Sequence, residues 1–244
     1  MTVPPLTAAS SAAEIADTVR ALGNPEEAEH AQRFFKTGPG EYGEGDVFAG
    51  VRVPVLRTVS KRLRELPLPV LDALLDDPVH EVRALALFTL AERFSARAAD
   101  RAAVTDLYRR AVRRGRVNNW DLVDSSARPI LGAWLVDAGD HRELLDWASS
   151  EDLWERRVGI IGTFAFIESG SADAILAVAP LVVDDRRDLI QKALGWMLRE
   201  AGKRVDETVL TGYLEKNAAR MGRTALSYAV ERLAPEQRAY YRSR

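Results

Sequence analysis

The sequence predicts an all-α fold, a helical-repeat solenoid forming a single domain over residues 1–244. Three observations carry that prediction. Apolar residues recur at i, i+3, i+4 and i+7 along most of the chain. Convincing period-two segments flanked by hairpin turns are missing. A loose motif returns at intervals suited to stacked helix pairs.

The elements follow in chain order. The opening MTVPPLTAASSAAEIADTV has neither a basic leader nor a long apolar core, so it does not read as a signal peptide. KTGPGEYGEGDVFAG, 36–50, holds four glycines between positions 38 and 45 and invites a phosphate-loop reading. That reading fails, because the Gly-Lys-Ser/Thr ending is absent and Glu41, Glu44 and Asp46 would repel phosphate. A turn between helices is expected instead. LDALLDDPVHEVRALALFTLAERF, 71–94, reads as an amphipathic helix pair broken at Pro78. ELLDWASSEDLWERRVGIIGTFAFI (143–167) and IQKALGWMLREAG (190–202) show the same spacing. AILAVAPLVV, 174–183, is about half a membrane span and contains a proline, so no membrane partner is expected.

The repeat emerges when EVRALAL, LVDSSAR, ERRVGII, IQKALGW and MGRTALS are aligned. Each has a polar or charged third residue followed by small or apolar ones. Those third residues are Arg83, Asp124, Arg157, Lys192 and Arg223, spaced by 41, 33, 35 and 31. The period suits antiparallel helix pairs of the HEAT or armadillo kind, in which the same helix of each pair lines one concave face. The recurring slot is expected to put its charges along a common basic groove.

Composition narrows the function classes. Apolar residues at 47% and charged residues at 29% place the chain among soluble globular proteins. No cysteine is present, which removes disulfides and thiolate metal sites and points to a reducing, cytoplasmic setting. His30, His80 and His141 are scattered and have no second ligand at helical spacing, so no metal and no cofactor is expected. Each reads as a surface or core histidine. The net charge of −2 does not suggest a nucleic-acid binder, but its distribution does. Arg109, Arg110, Arg113, Arg114 and Arg116 crowd one short run, and 216–244 holds seven basic residues against two acidic ones. Arg113, Arg116, Arg157 and Lys192 are among the candidates for phosphate contact.

Directly behind the arginine run stands RVNNWDLVDSSARPI, 116–130. Trp120 and Asp124 are four residues apart and share a helix face. Trp196 lies four beyond Lys192 and should face the same way as that lysine. A groove holding tryptophans, a carboxylate and several cations suits phosphate together with a sugar or a cationic base. Both tryptophans as core packing, with Asp124 as a helix cap or ion-pair partner, is the competing reading.

RFFKTGPGEYGEGDVFAGVRVP, NNWDLVDSSA, RRVGIIGTFAFI and LIQKALGWMLREAGKR together resemble the AlkD-type bacterial alkylpurine DNA glycosylases, over about residues 15 to 235. The resemblance implies a solenoid of HEAT-like repeats with double-stranded DNA in its concave groove. It implies catalytic roles for Trp120 and Asp124, with Trp196 as a second active-site aromatic. Arg157 and Arg57 would contact the DNA backbone. A further site aromatic would be Phe34 or Phe35, where the family's best-known pattern has tyrosine. The enzyme would act as a monomer.

The residues fit that chemistry on their own terms. Glycosidic cleavage passes through an oxocarbenium-like transition state, and most glycosidases pair a carboxylate with an acid. No second carboxylate occupies a matching slot of the repeat. A purine alkylated at N3 or N7 already carries positive charge and leaves without protonation. One carboxylate, Asp124, then stabilises the sugar cation and orients water. Trp120 and Trp196 would stack on the sugar and the cationic lesion. A shallow groove between helices is expected to offer no pocket for a flipped base. The alternative from another class is a non-catalytic helical-repeat scaffold that binds nucleic acid or protein.

Overall fold

The computed structural model describes residues 6–244. The start of the segment read above as lacking a leader, residues 1–5, lies outside the described residues. The chain is all-helical. Among the described residues the only β feature is an isolated bridge between Val47 and Val79. No described helix is long and apolar enough to cross a membrane.

Contacts divide the chain into two compact units, one ending at Ile130 and the other starting at Leu131. The first holds α1 (Ala12–Ala21), α2 (Pro25–Phe34), α3 (Val53–Arg62), α4 (Leu68–Leu75), α5 (His80–Ala96), α6 (Arg101–Arg113) and α7 (Trp120–Ser126). The second holds α8 (Ala133–Ala138), α9 (Arg142–Ala148), α10 (Leu153–Glu168), α11 (Asp173–Val182), α12 (Asp188–Arg204), α13 (Glu207–Asn217), α14 (Arg223–Ala229) and α15 (Pro235–Arg242).

The period read from the sequence has a structural basis. The recurring slot falls on the second helix of five consecutive-helix pairs, α4–α5, α6–α7, α9–α10, α11–α12 and α13–α14, with α8 standing between the second and third. The break at Pro78 separates α4 from α5 as expected, since proline lacks the N–H that a continuing helix needs.

Helix starts follow ordinary capping chemistry. Ser11 and Glu14 form a reciprocal capping box on α1. Asn24 accepts from Glu26 and Glu27 ahead of Pro25 on α2, and Asp152 accepts from Trp154 and Glu155 on α10.

In the first unit α5 packs on α3, α4 and α7. Its Val82–Leu90 stretch is buried on every face, which explains why HEVRALALFTL is apolar nearly all round. In the second unit α10 packs on α9 and α12, and α12 packs on α14. Gly159 permits the close α9–α10 approach, because a Cβ there would lie 2.4 Å from the Ala148 nitrogen.

The glycine-rich stretch 36–50 is a run of turns, as the sequence implied. What anchors it was not legible in the sequence. The buried carboxylate of Glu81 accepts from the backbone N–H of Ala49 at 2.9 Å, Gly50 at 2.7 Å and Val51 at 3.2 Å. Gly50 has φ +80°, and a Cβ there would meet the Asn24 carbonyl oxygen at 2.1 Å. Only glycine fits that crossing.

Candidate functional site: an aromatic cluster and a polar cavity in the first unit

Trp120 is the first residue of α7 and is half-buried. Its ring stacks on Phe35 at 5.3 Å between centroids and meets Phe34 edge-on at 5.9 Å. The two phenylalanines have different jobs. Phe35 also stacks on Phe48 at 5.0 Å and lies 5.3 Å from the His80 ring, so it ties Trp120 to the core. Phe34 is 57% exposed and is the aromatic left open to a ligand.

A buried polar network fixes where α7 begins. Asn119, 0% exposed, caps α7 with its side-chain oxygen on the Trp120 N–H at 2.9 Å. Its amide donates to Asp46 at 3.2 Å. Asp46 also accepts from the Arg83 guanidinium and pairs with His80 Nδ1 at 3.0 Å. His80 Nε2 meets Asp121 at 2.8 Å.

Arg83 is thereby drawn inward. It is 4% exposed and also donates to the carbonyls of Asp77 and Pro78. The first of the recurring charged slots therefore does not line a groove. Asp46, brought in by the 36–50 loop, supplies a buried partner that the repeat alone could not reveal. His80 is a core histidine, but a charged one.

Burial works against the His80 imidazolium. The charge and hydrogen bond of Asp121, and then those of Asp46, outweigh it and raise the pKa from 6.5 to about 9. Burial likewise opposes the Asp46 carboxylate, but the His80 hydrogen bond and the Arg83 charge hold its pKa below the usual value.

A stability prediction follows. The folded chain binds the His80 proton more tightly than the unfolded one. The resulting stabilisation is fully present below pH 6.5 and is lost as pH rises through about 9. Its upper bound is on the order of 3 kcal/mol. Thermal melts between pH 6 and 10 should show this decline in wild type and a flatter profile in His80→Gln. Parallel profiles would refute it.

Asp124 sits one turn beyond Trp120 and is half-buried. It lines a polar cavity of about 290 Å³ with Arg57, Phe88, Glu92, Ser95, Ser125 and Arg128. Burial raises the pKa of the neighbouring Tyr108 hydroxyl, and the negative charge of Asp124 raises it further. The Arg57 guanidinium rests 4.4 Å above the Phe88 ring, and among the described residues it has no carboxylate partner. An exposed cation held on an aromatic face without a counter-ion is suited to phosphate. After α7 the chain passes into a π-helical turn at Arg128–Gly132, where Pro129 cannot donate to the helix ladder. That turn carries Arg128 to the cavity wall.

No second carboxylate occupies a slot of the repeat, but one off the slots, Glu92, shares the cavity with Asp124. It lies nine residues past the repeat slot on α5, so a search of slots passes over it. No pocket for a flipped base was expected from the sequence. Besides the polar cavity, the first unit holds an apolar one of about 290 Å³ bordered by Phe34, Phe35, Phe48, Leu56 and His80. The 36–50 turns, folded beside α5, bring Phe48 to that wall.

The arginine run is partly engaged. Arg114 pairs with Asp72 at 2.5 Å, and Arg116 pairs with Asp76 at 2.8 Å. Arg113 is exposed near the end of α6.

In the second unit Trp196 is half-buried, with its ring 5.9 Å from Phe164, over which the Arg204 guanidinium lies at 5.2 Å. Lys192 pairs with Asp188 at 2.7 Å. Arg157 is 4% exposed and donates to the Leu189 carbonyl, so little of its surface is open to a phosphate.

Comparison with known proteins bears on this arrangement. The family model described as DNA alkylation repair enzyme matches residues 15–233. A solved structure, "Predicted DNA alkylation repair enzyme from Enterococcus faecalis", superposes with a TM-score of 0.69 at 19% identity. The match covers 87% of this chain and 97% of that one. None of the curated proteins matches the chain.

Proposed function

The chain belongs to the DNA alkylation repair enzyme family, and from that premise we propose that it is a monofunctional DNA glycosylase of the AlkD type. It would hydrolyse the N-glycosidic bond of purines made cationic by alkylation at N3 or N7 and leave an abasic site. The observation that carries this reading is the placement of Asp124. It faces a polar cavity bearing Arg57 and Arg128, one helical turn from the aromatic cluster of Trp120, Phe34 and Phe35.

The chemistry runs from those groups. Arg57 holds a backbone phosphate and sets the register of the duplex. Trp120 and the exposed Phe34 present ring faces to the sugar edge and the cationic lesion, worth roughly 0.5 to 2 kcal/mol per cation–π contact. As the C1′–N bond opens, positive charge gathers on the sugar and Asp124 stabilises it. The purine leaves neutral, because its own positive charge takes up the bonding electron pair. The roles of Trp196 and Arg157, implied by the sequence resemblance, and of Lys192, read from the recurring slot, belong to the second unit and are proposed on those grounds.

Incubation with methylated duplex DNA, followed by detection of free alkylpurine and abasic sites, tests the reading directly. Duplex binding without base release would favour the scaffold alternative.

Binding itself should depend on salt. With about five phosphates neutralised, the log–log slope should lie near −4 to −5. Arg57→Ala should weaken binding to any sequence and flatten that slope by about one unit. Salt-independent binding would remove the electrostatic account.

A further inference from the structure

The glycosylase reading leaves one group of the polar cavity without a task, and the inference here rests on that reading. Glu92 is half-buried on α5, in the cavity that also holds Asp124, Arg57, Ser95, Ser125 and Arg128. Among the described residues its carboxylate makes no hydrogen bond and no ion pair. Its surroundings make that unusual. The adjacent Arg93 turns away to Asp100 at 2.8 Å and to the Leu66 carbonyl. Asp72 and Asp76 are engaged by Arg114 and Arg116. Arg57 faces Phe88 rather than a carboxylate. Withdrawing a carboxylate partly from water without a partner is unfavourable, so an unpaired one beside a reaction carboxylate calls for a functional account.

We propose that Glu92 is the second carboxylate of the reaction, the base that takes the proton from the attacking water. In the step, the water oxygen bonds to C1′ while the C1′–N bond breaks. The electron pair of that bond passes to the purine and quenches its positive charge. The water proton moves to the Glu92 carboxylate and from there to solvent. Asp124 stays ionised throughout and stabilises the sugar cation. Water is the only co-reactant. Division of labour follows from the groups present. A base needs free lone pairs, which Glu92 has. Asp124 lies on the same helix as Trp120 and one turn from it, which suits it to the sugar.

The test is single-turnover release of 7-methylguanine from a defined duplex at neutral pH. Wild type, Glu92→Gln and Glu92→Asp are compared, with affinity for a duplex bearing an abasic-site analogue measured in parallel. Glu92→Gln should lower the rate by about 10²-fold, the lower end of what a positioned base supplies. Its DNA affinity should hold or tighten, since a negative charge leaves a phosphate-binding surface. Glu92→Asp, which keeps the carboxylate, should recover part of the rate.

A Glu92→Gln rate within about twofold of wild type would overturn the proposal. So would a Glu92→Asp rate no higher than that of Glu92→Gln, because a lost base is restored by a carboxylate and a packing defect is not. Wild type that releases no base at all would instead overturn the glycosylase reading, which separates the two failures.

Discussion

Asp124→Asn should keep the fold and the DNA affinity while base release falls by about 10²-fold or more, the usual worth of one preorganised electrostatic group. The substitution preserves shape and removes only charge. Asp124 is half-buried at a cavity wall, so asparagine is not forced into an apolar site. Affinity for the phosphate backbone should hold or rise slightly, because a negative charge leaves the surface that carries Arg57 and Arg128.

Trp120→Ala offers the contrast. It removes a ring packed against Phe34 and Phe35, so its defect should appear in lesion binding as well as in rate. The two losses need not add, since both groups act on one sugar in one transition state. Single-turnover release of 7-methylguanine from a defined duplex measures all three proteins. Near wild-type release by Asp124→Asn would return the scaffold alternative to the lead.

Asp46→Ala should destabilise the first unit by about 3–5 kcal/mol, the range for removing one partner of a buried ion pair. The residue has no catalytic task in this reading, yet three buried donors depend on it. The Arg83 guanidinium, the His80 imidazolium and the Asn119 amide all turn to its carboxylate. Without it, two cations and an amide stay buried with one acceptor fewer. The damage should reach function through Asn119, whose side chain caps α7 at Trp120. Denaturant unfolding measures the stability loss, and the difference in tryptophan fluorescence between the Trp120→Phe and parent proteins, with and without Asp46→Ala, reports the environment of Trp120. A loss below about 1 kcal/mol would show that the network contributes little beyond what water supplies in its place.

Local periodicity determined much of this protein. The 3.6-residue spacing of apolar side chains predicted an all-helical chain, and Pro78 marked the α4–α5 break because proline cannot donate to a helix ladder. The return of a charged slot located the second helix of five helix pairs. Trp120 and Asp124 stood out because four residues span about one helical turn, and that relation needs no tertiary information.

What the sequence could not show are the partners that arrive from far along the chain. Asp46 meets His80 34 positions away, and Asn119 73 positions away. That pairing turned Arg83 from a groove residue into a buried one and made an ordinary-looking histidine a buried cation. Glu92 reached the Asp124 cavity off the repeat register, because α5 packs against α7 along more than the slot positions. The choice between Phe34 and Phe35 was likewise tertiary. Adjacent residues on a helix point about 100° apart, and the stacks with Phe48 and His80 decided which ring was drawn into the core and which stayed open.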